Sequence, residues 1–246
     1  MNKTKIPWAD YTWTVSRGCS PISEGCKNCY AARLATRFSG PGGLYDGLIY
    51  KGRWNGVVRP CPENLDQPAR KTKPAKIFVN SMSDLFHESM PHDFLIKVFD
   101  EIRKAQHHTF QVLTKRPNRM AKFLQCWGPG IRNLWVGVTA ENQNQADERV
   151  IYLNQTPGHR RFLSIEPLLG YISLFEYFHS WPGIDWVIVG AESGPGARPC
   201  ELDWIRSIRD QCLEAEIPLF IKQARINGEL VKMPEIDGVV YNQFPK

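Results

Sequence analysis

Seven short apolar runs rich in β-prone residues recur along the chain, at residues 11–16, 76–80, 109–113, 134–138, 160–165, 186–190 and 219–222, and each ends in polar residues. Most are followed by a stretch with helical periodicity. After the second run, Pro91 suits a first helical turn, Phe94, Leu95, Val98, Phe99 and Ile102 make one apolar face, and Lys97, Asp100, Arg103 and Lys104 make the other. Pro117 opens the next helix, residues 146–153 supply another, and Leu202, Ile205, Ile208 and Leu213 repeat the pattern. Strands alternating with helices predict an α/β protein with a parallel sheet, and the number of runs predicts a parallel (β/α) barrel, partial or full and TIM-like, of six to seven strands.

A chain of 246 residues fits one such domain over residues 1–246. Residues 39–74 break the rhythm with glycine, proline and charge, from Gly40-Pro41-Gly42-Gly43 to Arg70-Lys71-Thr72-Lys73-Pro74, and read as an insertion or lid. Residues 224–246 form a C-terminal extension in which 230–232 and 239–241 are expected to pair around Asp237-Gly238.

The polar ends of the runs carry the chemistry. They read Asn80-Ser81-Met82-Ser83-Asp84, Thr114-Lys115-Arg116, Thr139-Ala140-Glu141-Asn142, Glu166-Pro167, Ala191-Glu192-Ser193-Gly194 and Lys222-Gln223. Any one exposed loop tends to be polar, but ligands of parallel barrels bind at the carboxyl ends of the strands, and here six ends are charged or amide-bearing. Glu141, Glu166 and Glu192 are therefore expected at one mouth with Lys115, Arg116 and Lys222, as a polar small-molecule site requires. Gly190, Gly194 and Gly196 around Ser193 would let backbone N–H groups approach an anionic or ribose-bearing ligand, although turns need glycine anyway.

Composition narrows the class. Hydrophobic residues at 42% and charged residues at 23% are those of a soluble globular protein. No apolar run reaches the roughly 18 residues of a membrane span, and no apolar signal segment follows Met1, so a cytoplasmic protein without a membrane partner is expected. The net charge of +6 favours anionic partners.

Seven cysteines are an odd set, and three of them, Cys19, Cys26 and Cys29, follow the first run with the spacing C-x6-C-x2-C. Thiolates at this spacing suit an iron–sulfur cluster or zinc. Structural zinc takes four protein ligands, and a fourth would have to come from afar, from Cys200, Cys212 or His87. Cys61, Cys126, Cys200 and Cys212 stand alone and are expected to pack in apolar surroundings, and His107 and His108 are expected at the end of a helix before the third strand.

The stretches from Arg17-Gly18-Cys19 to Cys29-Tyr30-Ala31, from Asn80 to His87, Leu113 to Pro117, Gly137 to Asn142, Leu163 to Gly170 and Trp186 to Gly194, with Lys222-Gln223, resemble the radical S-adenosylmethionine (SAM) superfamily. Within it they are most similar to a phage and bacterial family of three-cysteine proteins. The resemblance implies a barrel of the radical SAM type. It also implies that Cys19, Cys26 and Cys29 ligate three irons of a 4Fe–4S cluster, leaving the fourth for the amino and carboxylate groups of SAM. Reductive cleavage of SAM would then release a 5′-deoxyadenosyl radical that abstracts hydrogen from a substrate, with flavodoxin or ferredoxin as electron donor. By position, Ser81, Ser83 and Asp84 would hold the methionine amino group, Glu141 and Asn142 the ribose hydroxyls, and Gly190, Glu192 and Ser193 the adenine or ribose. Lys115, Arg116, Glu166, Lys222 and Gln223 are substrate-binding candidates, and no catalytic residue is assigned.

Two departures mark the match. The superfamily's usual spacing is C-x3-C-x2-C, and an aromatic residue usually stands where this chain has Asn28. Basic stretches at 70–76, 115–119 and 159–161 suggest a nucleic-acid or nucleotide substrate, while a solvated charged face accounts for them equally well. Two other readings of the cysteines stay open, a zinc-binding nucleic-acid module and a non-catalytic iron–sulfur protein.

Overall fold

Each of the seven runs forms a strand, and the strands pair in the order in which the chain makes them. A computed structural model gives the structure of residues 1–128, 131–179 and 183–246. The main sheet comprises β1 (Asn2–Lys3), β2 (Tyr11–Trp13), β3 (Lys76–Val79), β4 (Thr109–Thr114), β5 (Leu134–Thr139), β6 (Arg160–Ile165), β7 (Trp186–Gly190), β8 (Leu219–Ile226) and β9 (Glu229–Lys232). Strands β2 to β8 run parallel, and β1 and β9 flank them antiparallel. The helices are α1 (Tyr30–Thr36), α2 (His92–Lys104), α3 (Pro117–Trp127), α4 (Gln143–Asn154), α5 (Phe175–His179) and α6 (Leu202–Glu214).

The sheet has nine strands rather than six or seven, and it is open rather than closed into a barrel. Among the described residues its edges β1 and β9 do not pair with one another. The extra strands carry weak signals. Strand β1 is two polar residues, and β9 pairs with β8 across Asn227-Gly228, whose φ angles of 51° and 83° match a two-residue type I′ turn. This also corrects the expected C-terminal hairpin. Asp237-Gly238 does turn, with φ of 51° and 82°, but it joins Glu235–Ile236 to Val239–Val240, because residues 230–232 belong to β9.

Alternation along the strands builds two cores. Ile77, Val79, Val112, Val136, Val138, Leu163, Ile165, Val187 and Val189 face the helices and join Phe94, Val98, Met120, Leu124, Val150, Ile205 and Ile208. Phe78, Phe162, Trp186, Ile188 and Phe220 face the other way, where no helix lies, and are capped by Trp8 from the N-terminal segment and Phe244 from the C-terminal one. Trp186 is the centre of that plug, with ring centroids of Trp8, Trp135, Phe162, Phe220 and Phe244 all between 5.3 and 6.2 Å away. The same two-residue step, continued toward the carboxyl ends, carries this face from Leu113 to Lys115, from Thr139 to Glu141, from Ser164 to Glu166, from Gly190 to Glu192 and from Phe220 to Lys222. The plug thus becomes a charged rim.

Residues 39–74 brace the entrance to the cysteine loop. Tyr45, Leu48 and Trp54 bury against Ala31, Ala32 and Ala35 of α1, and Ser16–Arg17 pairs with Arg59–Pro60. Gly18 lies between them with φ of 93°, and a Cβ there would stand 2.1 Å from the Val57 carbonyl oxygen, so only glycine passes. Among the described residues no helix is long and apolar enough to cross a membrane.

The plug generates a stability prediction. A Cβ on Gly137 would meet the Phe162 ring at 2.5 Å, and that ring is fully buried with no free side to move toward. Gly137→Ala is expected to lower the unfolding free energy by about 1–3 kcal/mol in urea titrations, and the loss is expected to shrink when Phe162→Leu is added. An unchanged urea midpoint for Gly137→Ala would contradict the packing.

Candidate metal and cofactor site

The cysteine loop leaves β2 through Ser16–Arg17 and ends in α1. Cys26 closes the 3-10 turn Glu24–Cys26 through Cys26 N–H to Ser23 O at 2.9 Å, and Cys29 is the residue before α1. All three thiols are free and half-buried, and Cys19 and Cys29 rest on the Tyr45, Leu48 and Trp54 cluster. Burial pushes the Cys19 thiol up to about 12, with Asp84 adding to the rise and Arg116 opposing it. Cys26 and Cys29 also act on Cys19 as neighbouring charges, so the three sulfurs share one locality.

Arg116 is the cation at that locality. Its Nη1 lies 3.9 Å from Cys19 Sγ and 3.0 Å from Asp84, its Nε bonds Glu88 at 2.8 Å, and its Nη2 donates to Ser20 Oγ at 2.8 Å. Ser20 Oγ also receives His87 Nε2 at 2.8 Å, because His87 Nδ1 is already accepting the Ser89 N–H. Burial and Arg116 lower His87, which favours its neutral ring. Among the described residues no group of three or more His, Cys, Asp or Glu side chains is set to hold a single metal ion. Cys200 and Cys212 pack in the helix-side core, far from a ligand role. Cys61 is buried but receives an Arg17 N–H at 2.8 Å instead of packing in apolar surroundings, and Cys126 is exposed on α3 because it falls on the helix face turned from the sheet.

The loop is laid on the charged rim. Ser23 Oγ donates to Glu141 Oε1 at 2.7 Å, and Gly25 lies so close that a Cβ would stand 2.3 Å from the same carboxylate. Glu141 has no exposed surface, yet burial is outweighed by Lys115 and by Arg149 at 3.1 Å, which hold its carboxyl below the usual range. Farther along, Asn28 Nδ2 donates to Glu192 at 2.9 Å and to Gly196 O at 2.8 Å, and Arg198 clasps both oxygens of Glu192. Burial pushes Glu192 up, but the Arg198 and Asn28 bonds prevail and hold it at about 2. Arg33 donates to Ser193 O at 2.9 Å across Gly194, where any Cβ would overlap the guanidinium. Lys222 Nζ stands 2.8 Å from Glu166 Oε1 as an ion pair whose angle leaves that oxygen without a hydrogen bond.

Lys115, Glu141, Glu166, Glu192 and Lys222 therefore do meet at one rim, with Ser23, Gly25 and Asn28 above them. Other expected site residues have their polar atoms engaged by the fold. Asp84 accepts from Thr114 Oγ1, Lys115 N, Phe86 N and Arg116. Ser83 Oγ donates to Gly18 O, Asn142 caps α4 by accepting Gln145 N–H, and Gln223 Nε2 donates to Ala191 O at 2.6 Å. Ser81 and Ser193 are half-exposed and enter through their carbonyls, Ser81 O receiving the Tyr30 hydroxyl at 2.8 Å. The sequence reading missed Arg149, Arg198, Ser20 and Ser23. Arg149 had a signal, since it lies on the apolar face of α4 with Ala146, Val150 and Leu153, where a charge needs a buried partner.

The family model described as "Protein of unknown function (DUF5131)" matches residues 3–245. The chain belongs to this family. Among curated proteins none matches the sequence. Solved structures of spore photoproduct lyase share the fold. A tyrosine-to-phenylalanine mutant superposes with a TM-score of 0.58 at 11% identity, covering 89% of this chain and 78% of that one. A cysteine-to-serine mutant gives 0.54 at 13% identity, with 85% and 62% covered. A double mutant with bound AdoMet and dinucleoside spore photoproduct gives 0.52 at 15% identity, again with 85% and 62% covered. This chain thus spans about three fifths of the length of the latter two.

The clasp on Glu192 makes docking of the loop pH-dependent. A carboxyl held at about 2 contributes stability that is complete above the ordinary carboxylate range and is lost as pH falls from about 5 toward 2. Urea unfolding of the wild type is expected to weaken over that interval by about 1–3 kcal/mol more than unfolding of Glu192→Gln, the two converging at low pH. Parallel curves would show that Arg198 does not hold the carboxylate.

Proposed function

We propose that this protein is a radical SAM enzyme in which Cys19, Cys26 and Cys29 hold a 4Fe–4S cluster over the charged rim of an open α/β sheet. The carrying observation is the placement of the loop. Three free thiols lie on one segment that Ser23–Glu141 and Asn28–Glu192 fasten across the carboxyl ends of β5 and β7. The donor set fits the group. It is all thiol, as iron–sulfur clusters require, and its three sulfurs share one locality.

When bound, the cluster and SAM would supply reductive cleavage of SAM and a 5′-deoxyadenosyl radical for hydrogen abstraction. The chain's own residues position and shield. Loading the site requires thiolates, so the proton held by buried Cys19 must leave, and Arg116 beside it stabilises the charge that results. Asp84 acts through Arg116, which it orients, because its oxygens are fully engaged. Ser81, Gly190 and Ser193, with Glu141 and Glu192 where a ligand takes the place of Ser23 or Asn28, are the groups we assign to SAM, while Ser83 holds the Gly18 carbonyl and Asn142 caps α4. Gly190 makes room for the Glu166 carboxylate, since a Cβ there would stand 2.5 Å from Glu166 Oε1. Lys115, Glu166 and Lys222 are left to face substrate, whereas Arg116 is held by Asp84, Glu88 and Ser20 beside Cys19 and Gln223 ties β8 to the Ala191 carbonyl.

Within this reading residues 1–246 act as one domain, 39–74 brace the cluster loop, and a flavodoxin or ferredoxin donates the electron. A nucleic-acid or nucleotide substrate is supported by the net charge of +6 and by the dinucleoside spore photoproduct seen with the lyase of shared fold.

Anaerobic reconstitution followed by iron and sulfide analysis tests the cluster directly. The expected result is iron and sulfide in equal amounts, a low-temperature electron paramagnetic resonance signal on reduction that changes when SAM is added, and 5′-deoxyadenosine on turnover. Stoichiometric zinc with no iron uptake would sink the proposal, and a cluster signal indifferent to SAM would leave the non-catalytic iron–sulfur protein.

A further inference from the structure

At the opposite end of the sheet, the amino ends of β4, β5 and β6 open into a cavity of about 550 Å³ that the proposed chemistry does not use. It lies about 20 Å from the charged rim, the length of six-residue strands. Its lining includes Arg103, Arg132 and Arg160 with His107, His108 and Trp135, and no Asp or Glu side chain among the described residues. Asp185 pairs with Arg160 from outside the lining at 3.3 Å, whereas Arg132 is exposed and has no carboxylate partner among the described residues. Arg103 lies over the Trp127 ring at 3.7 Å, a favourable contact that leaves it without a carboxylate partner among the described residues.

The aromatic lining is also specific. The His107 and His108 rings meet at a tilt of 45° with centroids 3.9 Å apart, and both donate from Nε2 to backbone carbonyls, to Lys71 O at 2.7 Å and to Pro68 O at 3.1 Å. A neutral ring that donates from Nε2 presents Nδ1 as an acceptor. His108 is 1% exposed, and its Nδ1 has no partner. A buried acceptor without a donor is costly, and a ligand N–H or O–H would satisfy it. Half-exposed Trp135 adds a further aromatic ring to the lining.

Unpaired guanidinium groups, aromatic surfaces and one buried acceptor are together the requirements of a nucleoside phosphate: charge for the phosphate, faces for the base, an acceptor for an amino or hydroxyl group. We infer that this cavity binds a nucleoside phosphate, either free or as part of a single strand. The site is independent of the cysteine loop, so its failure and that of the enzyme reading are separable.

Fluorescence anisotropy of a labelled single-stranded oligonucleotide at low salt, about 50 mM, tests it, with nucleoside monophosphate and inorganic phosphate as competitors. Wild type and Cys26→Ala are expected to bind alike, since the cluster loop is remote. Arg132→Glu, at an exposed and unpartnered position, is expected to weaken binding at least fivefold and to reduce the salt slope by about 1. His108→Phe serves as the second variant and is expected to weaken the nucleotide while leaving inorganic phosphate unchanged. Competition by the monophosphate at its own dissociation constant assigns the site to free nucleotide, and binding of the strand alone assigns it to polynucleotide. The inference is overturned if wild type binds neither, if Arg132→Glu binds undiminished, or if inorganic phosphate competes as well as the nucleotide.

Discussion

A carboxylate with no access to water stays charged only if cations and hydrogen bonds replace its hydration, and Glu141 is placed under that constraint. Lys115 comes from the end of β4, Arg149 from α4 and Ser23 from the cysteine loop, while the Glu141 carbonyl accepts Leu169 N–H at 2.8 Å beyond β6. One side chain therefore ties two strand ends, a helix and the loop that carries the thiols. Lifting the loop would remove the Ser23 bond and leave Lys115 and Arg149 in place, a loss of roughly 1.5–3 kcal/mol for one hydrogen bond to a charged group. Gly25 belongs to the same constraint, because only a residue without Cβ lets the loop descend that far.

Arg116 repeats the design one strand away. Asp84 and Glu88 hold it from the loop after β3, and it in turn reaches Ser20 and Cys19. The two arginine-centred nodes, at Arg116 and Arg149, work differently. Arg149 neutralises a buried anion, whereas Arg116, itself held by Asp84 and Glu88, only partly opposes the burial and the Asp84 charge that keep the Cys19 thiol protonated.

The parallel sheet was legible because apolar runs of five or six residues ending in polar tips have few other stable arrangements, and α2 was legible because Phe94, Val98 and Ile102 repeat at helical spacing. Whether the sheet closes was not legible, since closure depends on edges far apart in sequence, Asn2–Lys3 and Glu229–Lys232, whose own residues are mostly polar. Roles within the site divide the same way. The convergence of Glu141, Glu166 and Glu192 follows from strand ends sharing one rim, which topology guarantees. That Asp84, Asn142 and Gln223 spend their polar atoms on the fold does not follow, because a cap, a strand tie and a ligand contact draw on the same residue types. Alpha-helical periodicity did contain one unread clue, the charge of Arg149 on an apolar face.

The electrostatics of the two ends of the sheet differ in kind. At the carboxyl rim most cations lie against an anion, Lys115 and Arg149 sharing Glu141, Lys222 with Glu166 and Arg198 with Glu192, while Arg33 reaches only the Ser193 carbonyl, so the rim is polar with its charges largely offset. Such a rim is suited to a ligand that carries both charges and enters by exchanging partners, and it exerts little pull on a polyanion at a distance. At the amino end Arg103 and Arg132 have no carboxylate partners among the described residues, and the basic surplus of the chain is expressed there in a cavity. Between them stands the aromatic plug around Trp186, apolar and dry, which insulates one end from the other. A polyanion drawn to this protein by its net charge would therefore meet the amino end first.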